Sequence, residues 1–372
     1  MTKKITRIIL CIFSFLGVFL AAASATLRFS ADPLLSATVS AGLGISEGDR
    51  HTLKPNSVNM PLHYTVDLPR DNFFPLAMEF YDSLPPETVG QDPTEIPEPE
   101  PSLPANTFPV IPLDLSENQA PSSLIYINES KYTPDINTLI NNEYPLKYTK
   151  TVSDSDAFEP LVLIIHTHGT ECYLPQGQDT YTNDTPTRSQ NTEINVVAVG
   201  KTLYNTLTAA GIPTIHCETM FDAQSYSDSY DLSEKAVMEY LAKYPSIQYV
   251  FDVHRDSIVR DNNEKIKPVV EINGKLSAQA MFVVGTDSSG AEHPNWMDNL
   301  TVATHFQNNL INTYGNIMRP INLRSASFNA EHTAGSILIE VGTCGNTIEE
   351  AQYCVTLLGD GIANTILNDG NN

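Results

Sequence analysis

From about residue 160 onward, short apolar runs alternate with longer segments whose apolar residues recur at helical spacing. Runs such as LVLII, IPTIHCE, IQYVFDV and SILIEVG are typical of strands, and the unbroken apolar character of LVLII indicates a strand covered on both faces. The segments INVVAVGKTLYNTLTAAG and LSEKAVMEYLAKYP have helical periodicity and end at Gly or Pro. A hairpin is expected at Asn273-Gly274. The alternation predicts an α/β fold in three layers, with a mostly parallel sheet and helices on both faces.

The N-terminus has the pattern of a membrane-spanning segment. Three basic residues precede the uncharged apolar run 8–27. That run is long enough to cross a bilayer as a helix, and the basic flank favours a cytoplasmic start. We therefore predict a signal anchor over residues 1–28, with the rest of the chain outside the cytoplasm. A signal peptide cleaved near Ala23-Ser24-Ala25 is the alternative.

The segment before the α/β region is rich in proline and acidic residues. Ten of the 25 prolines lie between residues 85 and 121, and residues 71–130 contain eleven Asp and Glu but no Lys or Arg. Such a composition buries too little apolar surface to offset the entropy of ordering. We predict a juxtamembrane region of uncertain fold over 29–84, a disordered acidic linker over 85–130, and a catalytic domain over 150–372.

Charge and motifs exclude several functional classes. The formal net charge of −23 argues against nucleic acid as a partner, because phosphates require an excess of Lys and Arg. The sequence contains neither a nucleophile elbow of the G-x-S-x-G type before a helix nor a phosphate-binding G-x-x-x-x-G-K-[ST] loop. Its cysteines form no C-x-x-C zinc pattern, and their disulfide state stays open.

Side chains suited to metal binding or catalysis occur at three strand ends. They are His166, His168 and Glu171 after LVLII, then His254, Arg255 and Asp256 at the end of IQYVFDV, and Glu340 within SILIEVG. Because ligands collect at the carboxyl ends of parallel strands, we expect these groups to converge on one edge of the sheet.

The residue types at these strand ends match a catalytic zinc site. Such sites use about three His or carboxylate ligands and keep one position open for water. His168 and Glu171 could bind one ion from a tight turn, His254 could supply the third ligand, and Glu340 could accept a proton from the activated water. The alternatives are that single histidines are structural, or that Glu340 neutralises a buried Arg255. Histidines 166 and 168 could also point to opposite faces.

Five sequence blocks, in order, resemble the stage II sporulation protein P family of endospore-forming bacteria. The blocks are HTHGTECY, NVVAVGKTLYNTL, YVFDVHRDS, HPNWMDNL and SILIEVGTCGNTIEEA, which span roughly residues 160–367. The resemblance implies a membrane-anchored hydrolase of peptidoglycan, active as N-acetylmuramoyl-L-alanine amidase and as endopeptidase at the sporulation septum. It also implies partnership with the stage II sporulation proteins D and M.

The blocks are similar, more distantly, to zinc-dependent cell-wall amidases. By position, His168, His254 and Glu340 correspond to two ligands and the catalytic Glu of those enzymes, which implies Zn²⁺ as the cofactor. Glu171 has the ligand spacing of zinc carboxypeptidases, whereas Glu193 lies where the amidases place theirs. We take Glu171 as the ligand and Glu193 as the alternative.

The resemblance leaves other parts of the functional assignment open. Arg255 could hold a substrate carboxylate or steady an oxyanion, and His166 has no assigned role. Two other hypotheses compete with an amidase function. One is a degenerate amidase fold that binds glycan or proteins without turnover, and the other is a metallopeptidase that cuts only the stem peptide.

Overall fold

The structure is a computed structural model that describes residues 104, 106–116, 125–148 and 158–368. The predicted anchor over 1–28, the juxtamembrane region over 29–84 and the first part of the linker lie outside the described residues. Among the residues that are described, no helix combines the length and the apolar character needed to span a bilayer.

The described residues form eleven strands, five α-helices and two short 3₁₀ turns. The strands are β1 Thr107–Leu113, β2 Ile125–Asn128, β3 Val162–Ile165, β4 Thr180–Thr182, β5 Thr214–His216, β6 Tyr249–Asp256, β7 Lys265–Ile272, β8 Lys275–Ala278, β9 Ala280–Val284, β10 Ile321–Leu323 and β11 Gly335–Thr343. The helices are α1 Ile136–Asn141, α2 Val196–Ala209, α3 Ser229–Lys243, α4 Trp296–Tyr314 and α5 Ile348–Asn368. The 3₁₀ turns are Phe221–Ala223 and Ala330–His332.

Seven strands form the main sheet in the order β2-β10-β9-β11-β6-β3-β5. Neighbouring strands in this sheet pair in parallel, with the exception of β9 and β11, which pair antiparallel. The prediction of a mostly parallel sheet is therefore confirmed. The antiparallel junction divides the sheet into two blocks that run in opposite directions, and β3, β6 and β11 end at the same edge.

Helices cover both faces of the main sheet, as predicted. Val162 and Ile164 of β3 belong to the larger core, which includes residues of α2, α4 and α5. Leu163 and Ile165 face the other way, into a smaller core with Val237 of α3. Successive side chains of a strand point to opposite faces, so a strand buried on both faces is apolar at every position. This is the physical origin of the unbroken LVLII run.

The second sheet requires a correction to the predicted linker. It has the order β4-β1-β7-β8, and its strand β1 lies inside the range 85–130. In β1, Val110 is 5% exposed and pairs in parallel with Lys265 of β7. The strand β2 also falls in this range and joins the edge of the main sheet beside β10. Composition indicates how much apolar surface a segment can bury by itself. Strand β1 is instead ordered by pairing with β7, some 150 residues further along the chain.

The hairpin predicted at Asn273-Gly274 is present. Strands β7 and β8 pair antiparallel, with Ile272 opposite Lys275. Asn273 and Gly274 have φ values of 52° and 73°, the two positive angles that a type I′ turn requires. The sequence signal alone was sufficient here, because the turn conformation depends on these two residues.

Candidate metal centre and active site

The carboxyl ends of three neighbouring strands bring the predicted site residues together. Strand β6 pairs in parallel with both β3 and β11, and the register places Glu340 of β11 beside His254 of β6. A single cavity with about 690 Å³ of empty space, its open mouth included, lies at this edge. The predicted residues that line it are His168, Glu171, His254, Arg255 and Glu340.

Two buried carboxylates hold the turn 167–171, which follows β3. The Asp252 carboxylate accepts a hydrogen bond from the backbone N–H of Thr167 at 2.9 Å. Asp222 accepts one from the backbone N–H of Thr170 at 3.1 Å. Both carboxylates come from other parts of the chain, so the turn that carries two of the predicted ligands is shaped by tertiary contacts.

Glu171 and His254 form a buried pair of opposite charge. Glu171 Oε2 lies 3.5 Å from His254 Nδ1, and Asp252 Oδ1 lies 2.9 Å from His254 Nε2. Burial opposes ionisation of Glu171, but its hydrogen bond to His254 and the charge of Arg255 hold its pKa well below its usual range. Burial likewise opposes protonation of His254, but Asp252 and Glu171 raise its pKa well above 6.5. A metal ion bound to this pair would displace the imidazolium proton, because ligating imidazole is neutral.

His168 lies close to the other two predicted ligands. Its ring stacks on Tyr226 with centroids 5.0 Å apart and meets the ring of His254 at 5.4 Å, edge to face. Its Nδ1 is 3.4 Å from the Ser229 hydroxyl. Two imidazoles, of which one lies beside a hydroxyl and the other beside a carboxylate, form with Glu171 a donor set suited to catalytic zinc. The residues present therefore fit the ion in type, and they line one cavity.

Among the described residues, the group of three His and carboxylate side chains whose ligand atoms all come within reach of a single ion lies outside the cavity. Ligand atoms of Glu234, Glu331 and His332 all fall within 4.8 Å of one another, and His332 Nε2 is 3.1 Å from Glu234 Oε1. This cluster joins α3 to the 3₁₀ turn before β11 and is partly exposed. The sequence analysis missed it, and any measurement of bound metal has to separate it from the cavity.

Glu340 is a partly buried glutamate beside the predicted ligands, and its Oε2 atom is buried. Its Oε2 atom accepts no hydrogen bond from any residue that the structure describes. Burial raises its pKa to about 8, with the neighbouring Asp256 charge acting in the same direction. A carboxyl group with this pKa gains and loses a proton near neutral pH, which is what a general acid and base requires.

The contacts of Arg255 show what holds its guanidinium in place. Its guanidinium donates from Nε to the Cys172 carbonyl at 3.1 Å, and from its terminal nitrogens to the carbonyls of Thr187 at 2.6 Å and Asp256 at 3.2 Å. These bonds use three of the five N–H donors of the guanidinium, and Arg255 also lines the cavity. Arg255 therefore fixes the loop beside the cavity, and its contact with substrate stays a prediction.

The structure also separates the two alternatives for the second ligand. Glu171 is buried and lines the cavity, whereas Glu193 is exposed just before α2 and does not line it. Its backbone N–H donates to the side chain of Asn191. Of the two carboxylates, only Glu171 lines the cavity together with His168 and His254.

His166 lies on the opposite face of the sheet edge, as the alternation of side chains allows. Its Nδ1 is 2.9 Å from the Val253 carbonyl and its Nε2 is 2.9 Å from Nε2 of His216. A Cβ atom on Gly200 of α2 would lie 2.4 Å from this ring, so the helix needs glycine there. The pair His166–His216 is a packing feature beneath the cavity.

This histidine pair predicts a loss of stability in mild acid. Burial lowers the pKa of His166 to about 4 and that of His216 to about 3, where a charge on His166 acts in the same direction. The unfolded chain protonates both near pH 6.5, so below that pH unfolding takes up protons that the fold excludes. Each proton lowers the free energy of unfolding by up to about 1.4 kcal/mol per pH unit.

Denaturant titrations at pH 7 and pH 4.5 measure this effect. In His216→Gln the loss of stability between the two pH values should be about 2 kcal/mol smaller than in the original chain, because one proton no longer contributes. An equal loss in both proteins would contradict the assignment.

Several cavity residues carried no signal in the sequence. They are Arg188, Tyr226, Tyr230, Asn322, Arg324 and Phe328. Each comes from a loop, from α3, or from β10 and the residue that follows it, outside the motif blocks. Arg188 shows how such a residue reaches the site. Its guanidinium lies 2.7 Å from the carboxylate of Asp222 and 3.6 Å from that of Glu171.

Comparisons with known sequences point to one family. A family model described as Stage II sporulation protein P (SpoIIP) matches residues 114–363, more than half of the chain. Stage II sporulation protein P of Bacillus subtilis (strain 168) is 28% identical over 213 residues, which are 54% of this chain and 49% of that protein. The chain thus spans about half the length of the curated relative it matches.

Solved structures of amidases are loosely similar to the chain. The CwlD amidase from Clostridioides difficile, solved in complex with the GerS lipoprotein, is 13% identical, with 56% of this chain and 98% of that chain covered and a TM-score of 0.37. N-acetylmuramoyl-L-alanine amidase AmiC2 of Nostoc punctiforme is 14% identical, with 56% and 95% covered and a TM-score of 0.32.

Proposed function

Because this chain belongs to the stage II sporulation protein P family, we propose that it is a zinc-dependent peptidoglycan hydrolase. Its substrate is the amide that joins muramic acid to L-alanine, with stem-peptide cross-links as a second class of target. The observation that carries the proposal is the convergence of His168, Glu171, His254 and Glu340 in one cavity.

In this proposal the zinc ligands are His168, Glu171 and His254. Asp252 orients His254 through the ring nitrogen that does not face Glu171, which is the usual arrangement for a ligating histidine. When bound there, zinc supplies Lewis-acid chemistry, polarising an amide carbonyl and lowering the pKa of water.

Glu340 moves the proton. Its carboxylate takes a proton from the attacking water and delivers it to the amine that leaves as the amide bond breaks. The pKa of about 8 supports this role, because the group can be deprotonated for the first transfer and protonated for the second near neutral pH. Arg255 holds the loop between Cys172 and Thr187, and so keeps Glu171 in place.

Release of dye from labelled peptidoglycan tests the proposal. The purified full chain, dialysed against a chelator, should release little dye, and added zinc should restore release. Mass analysis of the soluble fragments should find free L-alanine amino termini and intact glycan. Binding to the sacculi without release at any zinc concentration would favour the non-catalytic binding module, and fragments cut only within the stem peptide would favour a metallopeptidase.

The cellular setting is a further part of the proposal. We place the chain in the cell membrane through residues 1–28, with the catalytic domain outside the cytoplasm at the sporulation septum, beside the stage II sporulation proteins D and M. The apolar run 8–27 and its basic flank support the anchor. Recovery of the full chain in the soluble fraction of sporulating cells would contradict it.

A further inference from the structure

Asn322 is a buried polar residue on the floor of the cavity. It occupies the centre of β10, where Ile321 and Leu323 face the larger core. Its own side chain therefore faces the other side of the sheet, and it lines the same cavity as Glu340. The residue is 1% exposed, and neither Oδ1 nor Nδ2 forms a hydrogen bond with any residue that the structure describes.

The surroundings of Asn322 make this choice of residue unusual. Its neighbours on the same face of the sheet are Val283 of β9 and Leu338 of β11, which pack together with Phe328. An apolar side chain would suit this position, because asparagine is a poor strand residue and a buried amide without partners destabilises the fold. A ligand that supplies the missing partners would explain why a polar residue is present.

The register of the strands fixes the distance from Asn322 to the reaction centre. Val283 pairs with both Asn322 and Leu338, and Glu340 lies two residues further along β11. With about 4.8 Å between strands and about 3.3 Å per residue, the Cα atoms of Asn322 and Glu340 are roughly 12 Å apart. An extended peptide covers this distance in three to four residues.

The charge at this end of the cavity favours a neutral ligand group. Arg324 directly follows β10, and its Nε lies 3.2 Å from Glu129 Oε2, so the arginine has a carboxylate partner. The side chain of Asn322 offers one acceptor oxygen and two N–H donors. An amide complements both the acceptor and the donors of Asn322 without carrying charge, and it presents its own donor and acceptor in one planar group.

We propose that Asn322 is the specificity residue of a subsite that binds an amide group of the substrate, with the Cα atom of Asn322 roughly 12 Å from that of Glu340. The subsite rests on the proposed function, since the cavity is taken to hold a muramoyl peptide. Two amides of such a substrate have the required chemistry, namely a backbone amide of the stem peptide and the N-acetyl group of the sugar. Stem length and N-acetylation can be varied independently, so the two sources can be distinguished.

Calorimetric binding to non-cleaved substrates tests the subsite. The probes are N-acetylmuramoyl peptides with one to four stem residues, and the four-residue compound with a free amine in place of the acetamide. All variants carry Glu340→Gln to prevent turnover. We expect affinity to rise roughly 10- to 100-fold from the shortest to the longest probe, as two additional hydrogen bonds would give. With Asn322→Leu this rise should disappear, while the shortest probe binds as before and the melting temperature stays equal or increases.

Asn309→Leu is the matched control. Asn309 of α4 donates to the Gly361 carbonyl at 2.9 Å and to the Thr365 hydroxyl at 3.0 Å, and it is not part of the cavity lining. Its replacement should lower the melting temperature and leave every affinity unchanged.

The outcomes separate the subsite from the proposed function. If Asn322→Leu loses affinity only for probes that carry the acetamide, whatever their number of stem residues, the amide subsite is retained. It then binds the N-acetyl group of the sugar. Equal binding of every probe by Asn322→Leu and its parent would overturn the subsite alone. A lower melting temperature of Asn322→Leu, with weaker binding of every probe, would also overturn it, because Asn322 would then be structural. If the parent binds none of the probes, the proposed function fails and the subsite with it.

Discussion

Replacement of Glu340 by Gln is expected to abolish turnover of peptidoglycan while metal and substrate remain bound. Gln has nearly the shape of Glu but cannot take up or release a proton at neutral pH, so only the proton transfer is removed. General acid and base catalysis contributes about 10²–10⁴-fold to rates, and we expect a loss of at least about 100-fold in kcat. Dye release from labelled sacculi measures the rate, and bound zinc is measured on the same sample.

Glu331→Gln is a suitable control for this experiment. Glu331 is also a partly buried glutamate, but it lies in the 3₁₀ turn before β11, outside the cavity lining. Its variant should cleave at the rate of the original chain. Wild-type turnover by Glu340→Gln would remove Glu340 from the mechanism. Loss of bound zinc in Glu340→Gln would show instead that the carboxylate is a ligand.

Loss of bound metal is the second large effect that we expect. His168→Ala, Glu171→Ala and His254→Ala should each bind less than one tenth of the zinc that the original chain retains after dialysis. Loss of a single ligand leaves two donors, and even changes to residues behind the ligands lower metal affinity about 10- to 100-fold. Elemental analysis of the purified full chain gives the stoichiometry. The full chain is preferable to a fragment that begins at residue 150, because β1 and β2 lie before that point.

Two control variants identify which site holds the ion. Glu193→Ala should retain zinc, since Glu193 is exposed and outside the cavity. His332→Ala should retain it as well, although His332 belongs to the compact cluster with Glu234 and Glu331. If His332→Ala loses the ion and His254→Ala keeps it, the bound metal belongs to that cluster and the assignment of the cavity is wrong.

The sequence was most informative where local rules determine structure. The unbroken LVLII run predicted a strand buried on both faces, and Asn273-Gly274 predicted a type I′ hairpin. Because parallel strands end at one edge of a sheet, the groups after three strands could be expected to meet. His168, His254 and Glu340 do line one cavity. In each case the physical cause acts within a few residues or follows from the direction of a strand.

Other features were decided by contacts between distant parts of the chain. The strand β1 lies in a segment whose proline and acidic content predicted disorder, and it is ordered through pairing with β7. Arg255 directly follows the predicted ligand His254, and only the fold shows that its guanidinium donates to the carbonyls of Cys172 and Thr187 in a remote loop.

What the sequence by itself determined about this protein is its family, its strand and helix alternation, and the residue types at the strand ends. Only the tertiary structure decided that Glu171 and not Glu193 joins the two histidines, that His166 faces away, and that Asn322 reaches the cavity. The reason is that side-chain direction along a strand can be read from a period of two residues. Which strands become neighbours depends instead on the packing of the whole domain.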